Sequence, residues 1–202
     1  MKKYNIIAIE REYASGGREI GERVAKALGF PSYGREILEM AAKRSGRSTS
    51  YFEHLEETAT GSLLYSMYAM GQAARFQESG APTADTLAVL ESQIIEELAR
   101  VGNCIIIGRC ASWVLRERED VLTVFVHAPW EARVERAVSR YGVPAAEAES
   151  VLKKFDKRRA GYYRANAGRA WDDKAGYHLM LDSGKLGVDA CVKIILDAAG
   201  RS

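Results

Sequence analysis

The sequence predicts an α/β fold in which a parallel sheet is covered by helices on both faces. Three observations carry that expectation. Short apolar runs at 6–9, 104–107 and 121–127 are continuous rather than alternating, as strands buried on both faces require. Segments of helical periodicity separate those runs, and the runs at 6–9 and 104–107 stop at polar or glycine-containing turns. In such sheets ligands bind beyond the carboxyl ends of the strands, so those turns are where candidate site residues belong.

The first run, residues 6–9, is followed by a small-residue turn over 10–17 and then by Arg18, Ile20, Val24 and Leu28 at helical spacing. Strand, tight loop and helix in that order can aim several backbone N–H groups and a helix N-terminus at one anion. Gly29 supplies the stop. Residues 30–33 form a candidate second strand. Ile37, Leu38, Met40 and Ala41 then mark a helix that closes at Ser45-Gly46. From 48 to 78 the chain is helix-prone, with Phe52, Leu55, Leu63, Leu64, Tyr68 and Met70 as the expected buried face. After Gly80-Ala81-Pro82, Thr83 can cap a helix through Leu87, Leu90, Ile94, Ile95 and Leu98 to Gly102. Helix follows helix here, as in a second lobe or insertion.

Residues 104–107 are the next strand and end at Gly108-Arg109; a short helix over 112–118 leads to the strand 121–127. Pro129 opens an amphipathic helix with Arg133, Arg136 and Arg140 expected on its outer face and Val134, Ala137, Val138 and Tyr141 on its inner one. A further helix starts near Pro144. Between 153 and 174 eight cationic residues face three anionic ones. A strand at 177–181, a turn at Asp182-Ser183-Gly184 and a helix over 188–199 close the chain.

Composition narrows the function classes. The 202 residues fit one domain, and 47% apolar with 28% charged residues is ordinary for a globular protein. A formal net charge of +2 argues against bulk nucleic-acid or membrane binding, so a cationic site has to be local. Cys104, Cys110 and Cys191 lack metal-ligand spacing and fit reduced thiols in a cytoplasmic setting. The apolar run after MKKYN is shorter than a signal core, so export is not expected.

Several residues carry candidate chemistry. Ala14, Ser15, Gly16, Gly17, Arg18 and Glu19 are the phosphate-holding candidates of the first loop, against the alternative of a plain glycine turn. The strong form of such a loop ends Gly-Lys-Ser/Thr; here Gly16, Gly17 and Arg18 stand there, and Arg18 is the candidate replacement cation. Ser15 and Glu10 are candidate Mg²⁺ ligands, although the nearby carboxylates Glu10, Glu12 and Glu19 can equally pair with Arg11 and Arg18. Arg109 at a strand end and Arg35 are candidates for holding a substrate phosphate. The basic stretch with Phe155, Tyr162, Tyr163 and Trp171 can be a solvated face, a lid or a nucleic-acid surface. His54, His127 and His178 lack metal spacing and are expected to be structural.

Together, IAIEREYASGGREIG, IIIGRC, VLTVFVHAPWEARVERA, FDKRRAGYY and YHLMLDSGKLGVDACVKII resemble, in order, the motifs of the cytidylate-kinase-like branch of the P-loop nucleoside monophosphate kinases. The resemblance implies a P-loop NTPase-like three-layer sandwich of about five parallel strands. It implies a core of 1–33, 102–141 and 175–202, a helical acceptor-binding insertion at 34–101 and a basic lid at 142–174. The implied activity is phosphoryl transfer from ATP, with Mg²⁺, to a nucleotide or nucleotide-like small molecule. Asp156-x-x-Arg159 keeps the lid spacing, which makes Arg159, with Arg158 and Arg164, the expected stabilisers of transferring charge. Gly17 stands where the family has its loop lysine, Arg18 where it has a hydroxyl, and Cys110 where a Gly-Arg-Asp sequence has its acid. A nucleotide-binding regulator without catalysis is the alternative expectation, and a nucleic-acid-binding module the third.

Overall fold

The computed structural model describes residues 4–50 and 84–200. The expectations placed on Phe52, His54, Leu55, Leu63, Leu64, Tyr68, Met70 and Thr83 lie outside those residues. Five strands form one parallel sheet: β1 (Ile6–Arg11), β2 (Ser32–Tyr33), β3 (Cys104–Ile107), β4 (Val121–His127) and β5 (Leu179–Asp182). Their order is β2-β3-β1-β4-β5, so β1 lies at the centre, paired with β3 and β4. Around it run α1 (Gly17–Leu28), α2 (Arg35–Ser45), α3 (Ala84–Val101), α4 (Ala111–Val114), α5 (Trp130–Tyr141), α6 (Ala148–Ala167), α7 (Ser183–Leu186) and α8 (Val188–Ala198).

The two-residue period of β1 divides the core. Ile6 and Ala8 face one way, with Ile37 and Leu38 of α2 and Leu87, Ile94 and Ile95 of α3. Ile7 and Ile9 face the other, with Ile20 and Val24 of α1 and Cys191 and Ile195 of α8. Each isoleucine of β1 is fully buried, a gain of roughly 1.5–3 kcal/mol per side chain that fixes the strand's register. Polar residues begin at Glu10, at the carboxyl end of β1.

Some elements differ from expectation: the helix read over 112–118 is the single turn of α4, and the turn at 182–184 opens the short helix α7. The last strand starts at Leu179 because Asp173 caps a 3₁₀ turn, Lys174–Gly176, and the Tyr177 hydroxyl donates to the Trp171 carbonyl at 2.6 Å. The face assigned to α5 is rotated: Val138 and Tyr141 are exposed, whereas Arg133 is only 3% exposed. A buried cation is tolerated there because Glu12 and Asp156 both approach it, at 3.0 and 2.7 Å.

Candidate active site

Where β1 runs out of apolar residues, the chain turns through a loop held on both flanks. Glu12 N–H donates to the Val126 carbonyl and Ala128 N–H to the Glu12 carboxylate. Ser183 Oγ donates to the carbonyls of Ser15 and, at 3.1 Å, His127. Ala14 (φ 58°) and Gly16 (φ 81°) take left-handed conformations, the first unusual for a residue with a Cβ. The first-turn N–H groups of α1 have no intrahelical partners and point out of this turn. Arg136 of α5 reaches the same place: a Cβ on Gly16 would stand 2.1 Å from its Nη1. The loop mouth therefore carries a guanidinium as well as a helix N-terminus.

Beside the loop a cavity of about 370 Å³ opens at the ends of β1 and β3. Six arginines line it, Arg11, Arg18, Arg35, Arg109, Arg158 and Arg159, with Glu10, Glu22 and Glu36. Gly108, Arg109 and Cys110 are three consecutive left-handed residues, and this tight turn throws Arg109 back over the end of β3. Glu91 of α3, fully buried, stands 3.0 Å from Arg109 Nη1 and accepts the Tyr162 hydroxyl of α6. Burial raises the Glu91 carboxyl to about 7. Burial lowers Arg109 to about 10 and Arg159 to about 9, and Arg11 pushes both further down by like-charge repulsion. Clustered guanidinium groups of this kind are a site prepared for an anion.

Helix α6 is docked on the loop rather than free of it. Asp156 accepts the Tyr13 N–H at 2.7 Å and both terminal nitrogens of Arg133. Arg159 Nη1 donates to the Arg11 carbonyl at 3.0 Å, and Phe155 stacks on Tyr13 with ring centres 4.5 Å apart. Tyr163 and Trp171 pack with Phe125 in the interior, whereas Phe155 and Tyr162 line the cavity.

With this geometry in place, the comparisons decide the family. The cytidylate kinase-like family model matches residues 6–185. The chain belongs to that family. Cytidylate kinase of Pyrobaculum aerophilum is 26% identical over 194 residues, which span 95% of this chain and 91% of that one. Among solved structures, an uncharacterised protein of Eubacterium ventriosum matches with a TM-score of 0.70 at 22% identity, covering 98% of this chain and 99% of that one. A shikimate kinase of Acinetobacter baumannii, solved with shikimate, matches with a TM-score of 0.53 at 14% identity over 100% of this chain and 96% of that one. These two share the fold, a P-loop NTPase-like α/β sandwich.

The residues singled out in the sequence fall into three groups. Arg18, Arg35, Arg109, Arg158, Arg159 and Glu10 meet around the cavity. Ala14, Ser15, Gly16 and Gly17 form the adjoining loop and do not line it; Glu19 is exposed, 3.9 Å from Arg136. Arg164 lies outside the cavity on the exposed face of α6, because five residues after Arg159 a helix has turned by about 140°. The Ser15 hydroxyl is buried, donates to the Glu12 carbonyl at 2.9 Å and does not line the cavity. Glu10 does: Trp171 and the Ser112 backbone bond its carboxyl, and Oε1, also buried, has no hydrogen-bond partner. Among the described residues no group of three or more His, Cys, Asp or Glu could hold a metal, and no helix is long and apolar enough to cross a membrane. His178 is occupied with Thr123, and burial pushes the Cys110 thiol up, away from the reactive form. The sequence does not assign Arg11 and Glu91 to this site, and Arg133 and Arg136 read first as an outer helix face, with a role beside the adenine or lid as the alternative.

Proposed function

We propose that the protein transfers a phosphoryl group from ATP to a nucleotide or nucleotide-like small molecule. The observation that carries this reading is the arginine-lined cavity opening beside a strand-loop-helix turn, in a member of the cytidylate kinase-like family. Phosphoryl transfer asks for positioning and charge rather than covalent chemistry, and both are present at the cavity. In this reading the donor phosphates meet the N-terminus of α1 and Arg136. The acceptor's phosphate sits in the cavity against Arg109, Arg35 and Arg158. Arg159 lies between the two and stabilises transferring charge. Residues 34–101 act as the acceptor-binding insertion and 142–174 as the lid; docking of α6 on the loop excludes water and keeps hydrolysis low.

The donor set fits Mg²⁺ arriving with ATP. One buried carboxylate oxygen without a partner, at Glu10, suits an ion otherwise held by phosphates and water. Bound there, the ion neutralises phosphate charge, and its own charge favours ionisation of a carboxyl that burial holds protonated to higher pH.

Purified protein is given Mg-ATP with a panel of nucleoside monophosphates, nucleosides and small alcohols, and ADP is followed. Acceptor-dependent ADP is expected, and Arg109→Ala should raise the acceptor's KM more than that of ATP. Nucleotide binding without any acceptor-dependent ADP overturns transfer and leaves a nucleotide-binding regulator.

A further inference from the structure

Gly17 stands where the strong form of a phosphate loop has its lysine, and that glycine calls for a physical reason. It lies in the first turn of α1 without a left-handed φ, so the backbone does not require glycine there, and glycine costs a helix about 1 kcal/mol relative to alanine. Space is the reason. A Cβ on Gly17 would stand 2.5 Å from Arg11 Cβ, 3.0 Å from Arg11 Cγ and 3.2 Å from Val126 Cβ. The stem of Arg11 occupies the position into which a side chain at 17 would begin to grow.

Following Arg11 outward shows where it delivers its charge. A Cβ on Gly108 would stand 1.9 Å from Arg11 Nη1 and 2.9 Å from its Cζ. The side chain thus crosses the loop at Gly17 and ends over Gly108, at the cavity wall it shares with Arg109 and Arg159. Arg18 is placed differently: its side chain is 72% exposed and paired with Glu22 at 2.8 Å, so much of its charge is already answered at the rim. We propose that Arg11 is the phosphate-binding cation of this loop in place of a lysine at 17, and that Gly17 is glycine because the Arg11 stem runs through its space. The proposal rests on the ATP-binding part of the function given above. The bound group is the terminal phosphate region of a nucleoside triphosphate, at the junction of loop and cavity, where a planar guanidinium can take two phosphate oxygens at once.

Mg-ATP binding is measured by calorimetry on the full chain. Arg11→Gln keeps the stem over Gly17 and removes the charge; it should weaken binding by roughly tenfold or more, the scale of one lost charge-assisted contact. Arg18→Gln should stay within about threefold of the parent, as for a surface charge already paired. Gly17→Lys alone should bind no better than the parent, whereas R11G/G17K, which clears the channel before filling it, should restore binding lost in R11G. Arg11→Gln binding within about twofold of the parent overturns the proposal, on the same contact scale. If Arg11→Gln fails to fold, as read by thermal melting, a folded R11G/G17K that recovers nothing overturns it instead. Arg11-dependent binding without acceptor-dependent ADP supports the proposal and sinks only the transfer reaction. Normal turnover with an unaffected Arg11→Gln sinks the proposal and spares the reaction.

Discussion

Glu91 shows how a single residue ties the site to pH. Its carboxylate is sealed under the cavity between Arg109 and Tyr162, and burial raises it from near 4.5 to about 7. The folded chain therefore keeps a proton across the interval from 4.5 to 7, in which the unfolded chain has released its own. By linkage, that stabilisation is full below about 4.5 and is lost as pH rises through about 7, an effect on the order of 3 kcal/mol. Glu91→Gln removes the titration while keeping the shape. The melting temperature of the parent should thus fall relative to that of Glu91→Gln between pH 5 and 8; a difference that stays constant across this range would refute the assignment. Sequence alone hid Glu91 and Arg11 for the same reason. A carboxylate within a helix pattern reads as part of the solvated face, and an arginine just past an apolar run reads as the strand's polar end. Only the packing of α6 over α3, through Tyr162, and of Gly17 against β1 turns these two charges inward.

Among the elements, α6 carries the most consequence. Its N-terminal half is pinned to the loop after β1 through one carboxylate, Asp156, which joins the backbone of Tyr13 to the buried guanidinium of Arg133. Asp156→Asn keeps an acceptor for Tyr13 but leaves Arg133 with the ion pair to Glu12, so it should cost about 2 kcal/mol of stability, below the range for breaking a fully buried pair. If the docked helix is the lid, this variant also raises acceptor-independent ATP hydrolysis. Chemical denaturation and an acceptor-free ADP assay check the two effects, and an Asp156→Asn protein unchanged in both would show the pin to be idle. The elements themselves were largely legible. Residues 104–107 and 121–127 form strands with the expected bounds, because continuous Ile and Val runs have few alternatives. The buried face of α5 was not legible: periodicity assigns arginine to water, and only tertiary pairing with Glu12 and Asp156 can bring Arg133 inside. The loop after β3 was visible as Gly108-Arg109, but its three left-handed residues were not, since Arg109 and Cys110 carry side chains that seldom adopt such φ values.

At the scale of the molecule, a net charge of +2 conceals how unevenly the charge is placed. The parallel sheet collects side chains from four separate stretches of sequence at one end, and six arginines reach the same cavity from β1, α1, α2, the β3 loop and α6. Composition argued for a local cationic site, while its makeup depended on a topology that no single stretch encodes. Mutual repulsion among Arg11, Arg109, Arg158 and Arg159 opposes the folded state until an anion enters. A polyphosphate binding only the folded chain should therefore stabilise it, by about 2.7 kcal/mol at a hundredfold excess over Kd. For a chain of this length that is a rise in melting temperature of about 5–10 °C. The rise should be graded by charge, larger for tripolyphosphate than for phosphate, and smaller at 0.5 M salt than at low ionic strength because the cavity opens to solvent. Arg109→Ala should reduce it, whereas Arg164→Ala, on the exposed face of α6, should leave it intact. Equal responses in these two variants would mean that the ion binds the general basic surface and not the cavity, and no response in the parent would mean that the arginine cluster is not an anion site.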